Sequence, residues 1–283
     1  MICNKFLIKK LSPLYGIHKY AAFFRLHFTM GLQYRTAALA GIATQFAWGT
    51  MEILLFHAFY RADASGFPMS FQATASYVWL QQAFLALFMA WMMDKEIFDS
   101  IVNGNVSYEL CRPINIYHMW FARNLASRLS KAVLRCMPIL LVAALLPKPY
   151  GLMIPKSLPA FLLFLLTLFM GLAVTVAFCM LIYISAFFTL SPDGIRMVAM
   201  SVVEFLSGAV IPLPFLPDRL RSLLELLPFA SMQNVPLRIY SGDLSGMAMW
   251  RAILIQFIWL IVLIAAGKGL TALAMRKITV QGG

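Results

Sequence analysis

The chain has 283 residues, of which 61% are hydrophobic and only 12% charged, and it carries a formal net charge of +12. Soluble domains are about 45–50% apolar and about 25% charged, so a soluble globule, a disordered chain and a small disulfide scaffold are excluded. The basic excess forms no stripe interleaved with aromatics, which argues against nucleic acid and for a bilayer partner with charge-directed topology.

The N-terminal MICNKFLIKKLSPLYGIHKY is basic but is not followed by an apolar run with a small-residue cleavage site, so it does not read as a cleavable signal peptide. In residues 13–34, Tyr20, Phe23, Phe24 and Phe28 alternate with His18, Lys19, Arg25 and His27. This pattern predicts an amphipathic helix lying in the inner headgroup region, within an interfacial unit 1–35. It serves either as a plain anchor or as a lever that also touches a cytoplasmic partner.

A spanning helix needs about 20 mostly apolar residues. Six segments of a second unit, 36–283, approach this: about 36–60, 74–93, 132–147, 159–189, 196–212 and 250–274. The third is short and is expected to begin earlier, in the polar stretch before it. The fourth is longer than one bilayer and is expected to tilt or project. The fold class expected is therefore all-α integral membrane, with six transmembrane helices. Between the fifth and sixth spans, residues 213–249 are too polar and proline-broken to cross. Leu216, Leu220, Leu223, Leu224 and Leu227 nevertheless keep helical spacing, which predicts an interfacial or re-entrant helical hairpin.

With the N-terminus inside, 16 of the 23 Lys and Arg fall on the inner side and seven on the outer. That asymmetry places both termini in the cytoplasm and 213–249 outside. The connector 94–131 then lies inside and is the longest polar stretch there. It holds Asp94, Glu96, Asp99 and Glu109, four of the 11 acids. A helix over EIFDSIV is expected to stop at Asn103–Gly104, and Arg112–Pro113 breaks the chain before a second basic helix. Two readings of the connector stand: a solvated linker, or a docking surface for a soluble protein.

Four cysteines (Cys3, Cys111, Cys136, Cys179) form no CxxC pair and read as free, mostly buried thiols. The four histidines have no metal-ligand spacing, and no catalytic or metal residue is assigned. No Walker sequence exists; Lys268 in AAGKGL lacks the required spacing. Polar groups inside spans are functional candidates by default. Gln45, Glu52, Gln81 and Glu204 are taken as candidates for a translocation path. For Glu52 and Glu204, inter-helix pairing, contact with a cationic or amphipathic substrate, and a proton relay all remain open. Ala37–Gly41 and Ala43–Ala47 are small-residue pairs that allow close helix approach.

The block NGNVSYELCRPIN resembles the S-G-E-L…L-L-R-P-L stretch of type-2 ABC-exporter permeases, the membrane subunits of ATP-binding-cassette transporters. EFLSGAVIPLPFLPDRL and LLPFASMQNVPLRIYSGDLSG resemble that family's fifth span and outer hairpin, and the terminal VQGG is similar to its viologen and multidrug exporter branch. Tyr108 stands where the pattern has glycine, and Cys111 where it has an aliphatic residue. The resemblance implies half of an exporter for an amphipathic or lipid-like compound, in the cytoplasmic membrane of a bacterium. A second permease copy or a sister permease would complete the path, with the first and fifth spans at the seam. Soluble ATPase subunits would bind ATP and Mg, and this chain would hold no cofactor. The coupling element would comprise Glu96, Ile97, Asp99, Ile101, Asn103, Gly104, Glu109, Arg112 and Pro113, with the amphipathic helix as its neighbour. A membrane enzyme acting on lipid or glycan is the alternative, and needs clustered Asp, Glu or His at one headgroup depth. A proton-coupled carrier is a third reading, but no internal repeat supports it.

Overall fold

The computed structural model describes residues 13–189 and 192–277, and these form helices and no strands. Cys3, the basic Lys5, Lys9 and Lys10, and the VQGG ending lie outside the described residues.

Helix α8 (Leu158–Ser185) is the axis of the fold. Ser157 caps it by accepting the Ala160 N–H. Gly171, Thr175 and Cys179 repeat at four-residue spacing, and all three are buried. In a lipid solvent helix association rests on close packing, which a stripe of small residues permits. The Met232 carbonyl fills the place a side chain at position 171 would take. The buried Thr167 and Thr175 hydroxyls donate to carbonyls one turn back, Leu163 at 2.7 Å and Gly171 at 2.9 Å.

Around α8 pack α7 (Ile116–Leu145), α12 (Gly246–Lys277), the short α11 (Asn234–Ser241) and, more lightly, α9 (Pro192–Leu206). Helices α2 (Arg35–Ala62) and α3 (Phe71–Ala83) pack on each other and on α7, and α1 (Pro13–Leu32) lies along α7. Among the described residues three helices are long and apolar enough to cross a membrane: Arg35–Ala62, Leu158–Ser185 and Gly246–Arg276. Their outward sides are apolar, with Leu54 and Leu55 on α2 and Phe257, Ile258 and Ile261 on α12 exposed.

The other expected spans are helical but different in form. The second is broken: α3 stops at Ala83, α4 covers only Leu85–Phe88, and a turn follows. The cause sits on α7. The Arg128 guanidinium is 1% exposed and donates to the carbonyls of Ala86 (3.4 Å), Leu87 (3.2 Å) and Met89 (2.8 Å), and to Asn124 Oδ1 (2.7 Å). A buried cation thus takes the C-terminal carbonyls that a continued helix would occupy. The stretch expected as the third span is the second half of a helix that begins earlier, at Ile116. The fifth is only 15 residues, ending where Gly208 adopts φ +81° ahead of Pro212. At about 1.5 Å per residue it is shorter than a hydrocarbon core of about 30 Å.

The expected hairpin contains α10 (Asp218–Glu225) and α11. All eight residues of α11 are buried. Arg238, 8% exposed, is held there between Glu225 and Asp243. Burial opposes its charge, but Asp243 and Glu225 override this and hold the guanidinium above its usual value. On α12, Gln256 Nε2 donates to the Thr167 and Ser231 carbonyls, at 2.9 Å each, and ties the hairpin to α8.

Candidate functional site

The connector and the hairpin meet α8 at its two ends. Phe98 packs on Tyr183 with ring centroids 4.8 Å apart, and Tyr240 packs on Phe164 at 5.0 Å. Positions 164 and 183 are about 28 Å apart along a helix, close to a hydrocarbon thickness.

The connector contains α5 (Lys95–Val102) and α6 (Val106–Leu110). Asp94 caps α5, its carboxylate accepting the Glu96 N–H at 3.0 Å, where negative charge also suits the helix dipole. The Asp94 N–H donates to the Tyr183 hydroxyl. Arg123 of α7 donates from Nε to Asp94 at 2.6 Å and from Nη2 to Glu96. Burial disfavours that charge, yet the two carboxylates hold the guanidinium above its ordinary value. On α1 the nearby His27 is pushed below its usual value, first by burial and then by Arg123.

At the far end Asn103 closes α5 and Gly104 takes φ +72°, a left-handed turn that favours glycine. Ile97, Phe98 and Val106 are buried against the bundle, and Glu109 accepts the Trp120 indole N–H at 2.6 Å. The opposite side is open. Val102 is 57% and Tyr108 75% exposed, and they flank the Gly104 turn. From α1, Lys19 donates to the Pro113 carbonyl at 3.0 Å, and the Tyr20 hydroxyl accepts the Asn115 N–H at 3.2 Å.

The residues expected to couple therefore divide. Glu96, Asp99, Asn103, Gly104, Arg112 and Pro113 are exposed. Ile97 is buried, and Ile101 and Glu109 are half-buried with Ile101 packed against the bundle. Cys111, expected among mostly buried thiols, is exposed because it lies on the open side; Cys136 is half-buried and Cys179 buried.

Of the polar residues expected in the bundle, Gln45 is buried on α2 and neither of its amide atoms has a partner among the described residues. Glu52 lies beside Gln82 with one carboxylate oxygen buried and without a partner among the described residues. Gln81 donates to the Ala209 carbonyl at 2.8 Å, next to Tyr77, whose hydroxyl donates to Gly208 at 3.2 Å. Gln81 thus joins α3 to the turn after α9, whereas Glu204 stands on the exposed side of α9. Gly41 does not face outward freely: the Arg135 guanidinium lies where its side chain would be.

A family model described as ABC-2 family transporter protein matches residues 46–282. The chain belongs to the ABC-2 transporter family. No curated protein matches the chain. An ABC-2 permease is the membrane subunit of a transporter that works with an ABC ATPase, and the enzyme alternative is not favoured by this match. The matched part of this ABC-2 permease runs from within α2 through the connector and hairpin to the end of α12, and α1 lies before it. Among the described residues no group of three or more His, Cys, Asp or Glu side chains could hold a metal ion.

Sequence reasoning missed Arg123 as the brace of the connector and Val102 and Tyr108 as its exposed apolar tip. Arg123 could have been found as the cation across from an unexplained acid pair. Val102 could not: at four residues beyond Phe98 its spacing predicts burial, and only its place at the last turn exposes it.

Proposed function

We propose that this ABC-2 permease is a six-span half of an exporter in the cytoplasmic membrane of a bacterium, with both termini inside, close to the viologen and multidrug exporter branch. It pairs with a second copy or a sister permease and moves an amphipathic or lipid-like compound outward. Separate ATPase subunits bind ATP and Mg, and each docks on the 94–113 connector. The observation that carries this reading is the open tip around Gly104, where Asp99, Val102, Asn103 and Tyr108 are exposed, on a braced base. The Arg123 ion pairs and the Phe98–Tyr183 contact fasten α5 to both α7 and α8. A push on the tip is therefore passed to two long helices rather than absorbed by a loop.

In this reading Glu96, Asp99, Asn103, Gly104, Arg112 and Pro113 meet the ATPase directly, and Ile97, Ile101 and Glu109 hold the element to the bundle. Gln45, Glu52, Gln81 and Glu204 are the polar groups proposed along or beside the path. The exposed apolar sides of α2 and of α9, which includes Met197, Val198 and Phe205, supply the seam to the second permease.

The test is co-expression of the full chain with the ABC ATPase of the same cell. Asp99→Lys and Tyr108→Ala are expected to reduce ATPase co-purification while membrane insertion stays normal. The triple change of Glu96, Asp99 and Glu109 to Lys is expected to abolish it. Unchanged association in all three would refute the assignment.

A further inference from the structure

Between α1, α2, α7 and the start of α5 lies a cleft of about 510 Å³. Four cations line it: Lys95, Arg123, Lys131 and Arg135. Its two acids, Asp94 and Glu96, are both engaged by Arg123. Lys131 and Arg135 stand one turn apart on α7, and neither has an ion-pair partner among the described residues. Arg135 Nε is buried without any hydrogen-bond acceptor among the described residues. A buried guanidinium N–H with no acceptor is costly, and a planar fork of donors matches a phosphate. The same cleft carries an apolar portion, Met30, Met92, Met93 and Leu134, together with the polar His27, Asn124 and Ser127. A polar anion seat beside an apolar portion fits an amphiphile with a phosphate head and an acyl tail.

We propose that this cleft binds the phosphate of an anionic phospholipid of the inner leaflet, with Lys131 and Arg135 as its phosphate ligands. The inference rests on the reading that the connector faces the cytoplasm; it does not require that the ATPase docks there. The bound lipid supplies the acceptor Arg135 lacks and fills the space between the amphipathic α1 and the bundle.

The test is native mass spectrometry of the full chain in detergent, with phosphatidylglycerol or phosphatidylcholine added. The wild-type chain is expected to retain phosphatidylglycerol preferentially. Lys131→Gln and Arg135→Gln are each expected to weaken that retention about fivefold, and Lys131→Arg to preserve it. Lys268→Gln with Arg276→Gln removes two exposed charges from α12, which does not line the cleft, and is expected to leave the preference intact. Displacement of the lipid by millimolar inorganic phosphate in place of sodium chloride would support the phosphate seat but identify free phosphate as a competing source; resistance to it would support the lipid. Equal retention of both lipids by the wild-type chain would overturn the proposal. So would equal losses in the two pairs of variants, because the attraction would then be unlocalised. Labelling of Cys111 in sealed vesicles of known orientation tests the underlying topology separately: reaction from the outer side would fail that reading, whatever the lipid result.

Discussion

Arg123 on α7 donates its Nε–H to the Asp94 carboxylate over 2.6 Å, so the residue that opens the connector is fixed to the helix that follows it. Arg123 is 13% and Asp94 21% exposed at the side chain, so solvent screens the pair only weakly.

Removing Arg123 leaves two carboxylates facing each other at the start of α5. Arg123→Gln is expected to cost about 1–3 kcal/mol, between a surface and a buried pair. Thermal unfolding in detergent will show the lowered midpoint, and limited proteolysis will show earlier cleavage within 94–113. An unchanged midpoint and cleavage pattern would mean that the connector is held by its apolar side alone.

Arg238 in the hairpin is the deeper case. Arg238→Met alone strands Glu225 and Asp243 and is expected to lower stability by about 3 kcal/mol. Combining it with Glu225→Gln and Asp243→Asn removes the charges as a unit and is expected to recover part of that loss. A triple variant less stable than Arg238→Met would contradict this account of the hairpin.

Gly171 gives a steric test. A methyl at this position meets the Met232 carbonyl, which is backbone and cannot swing aside. Gly171→Ala is expected to destabilise by about 1–3 kcal/mol by lifting the hairpin from α8. The neighbouring exposed Phe169→Ala is expected to change stability much less in the same unfolding assay.

These residues also mark what the sequence could disclose. Apolar run length located α2, α8 and α12, the long helices apolar enough to cross a membrane, because a lipid-facing helix must be apolar over its whole crossing. The end of α5 was legible at Asn103–Gly104, since a C-terminal left-handed turn selects glycine. The break in the second span was not. Residues 74–93 are uniformly apolar enough, and the break depends on Arg128, some forty residues later. The depth of the hairpin was equally hidden: Arg238 reads as an exposed cation until Glu225 and Asp243 are brought to it. At the candidate site, composition located the connector, but which of its residues face outward depends on Trp120, Tyr183 and Arg123, which belong to other helices. Glu109 is the instructive example, an acid in a polar stretch that turns inward to an indole.

The tip of the connector, and not the hairpin, is expected to receive the ATPase. The most direct test is site-specific cross-linking in inverted membrane vesicles holding the permease and its ATPase. A single reactive cysteine is placed at Asn103→Cys on the tip or at Ser222→Cys on the hairpin, with Cys3, Cys111 and Cys136 replaced by serine in both and only the buried Cys179 kept. Cross-links to the ATPase are expected from position 103, strengthened or weakened by nucleotide, and none from position 222. Cross-links from 222, or none from 103 while the ATPase remains bound, would contradict docking at the tip.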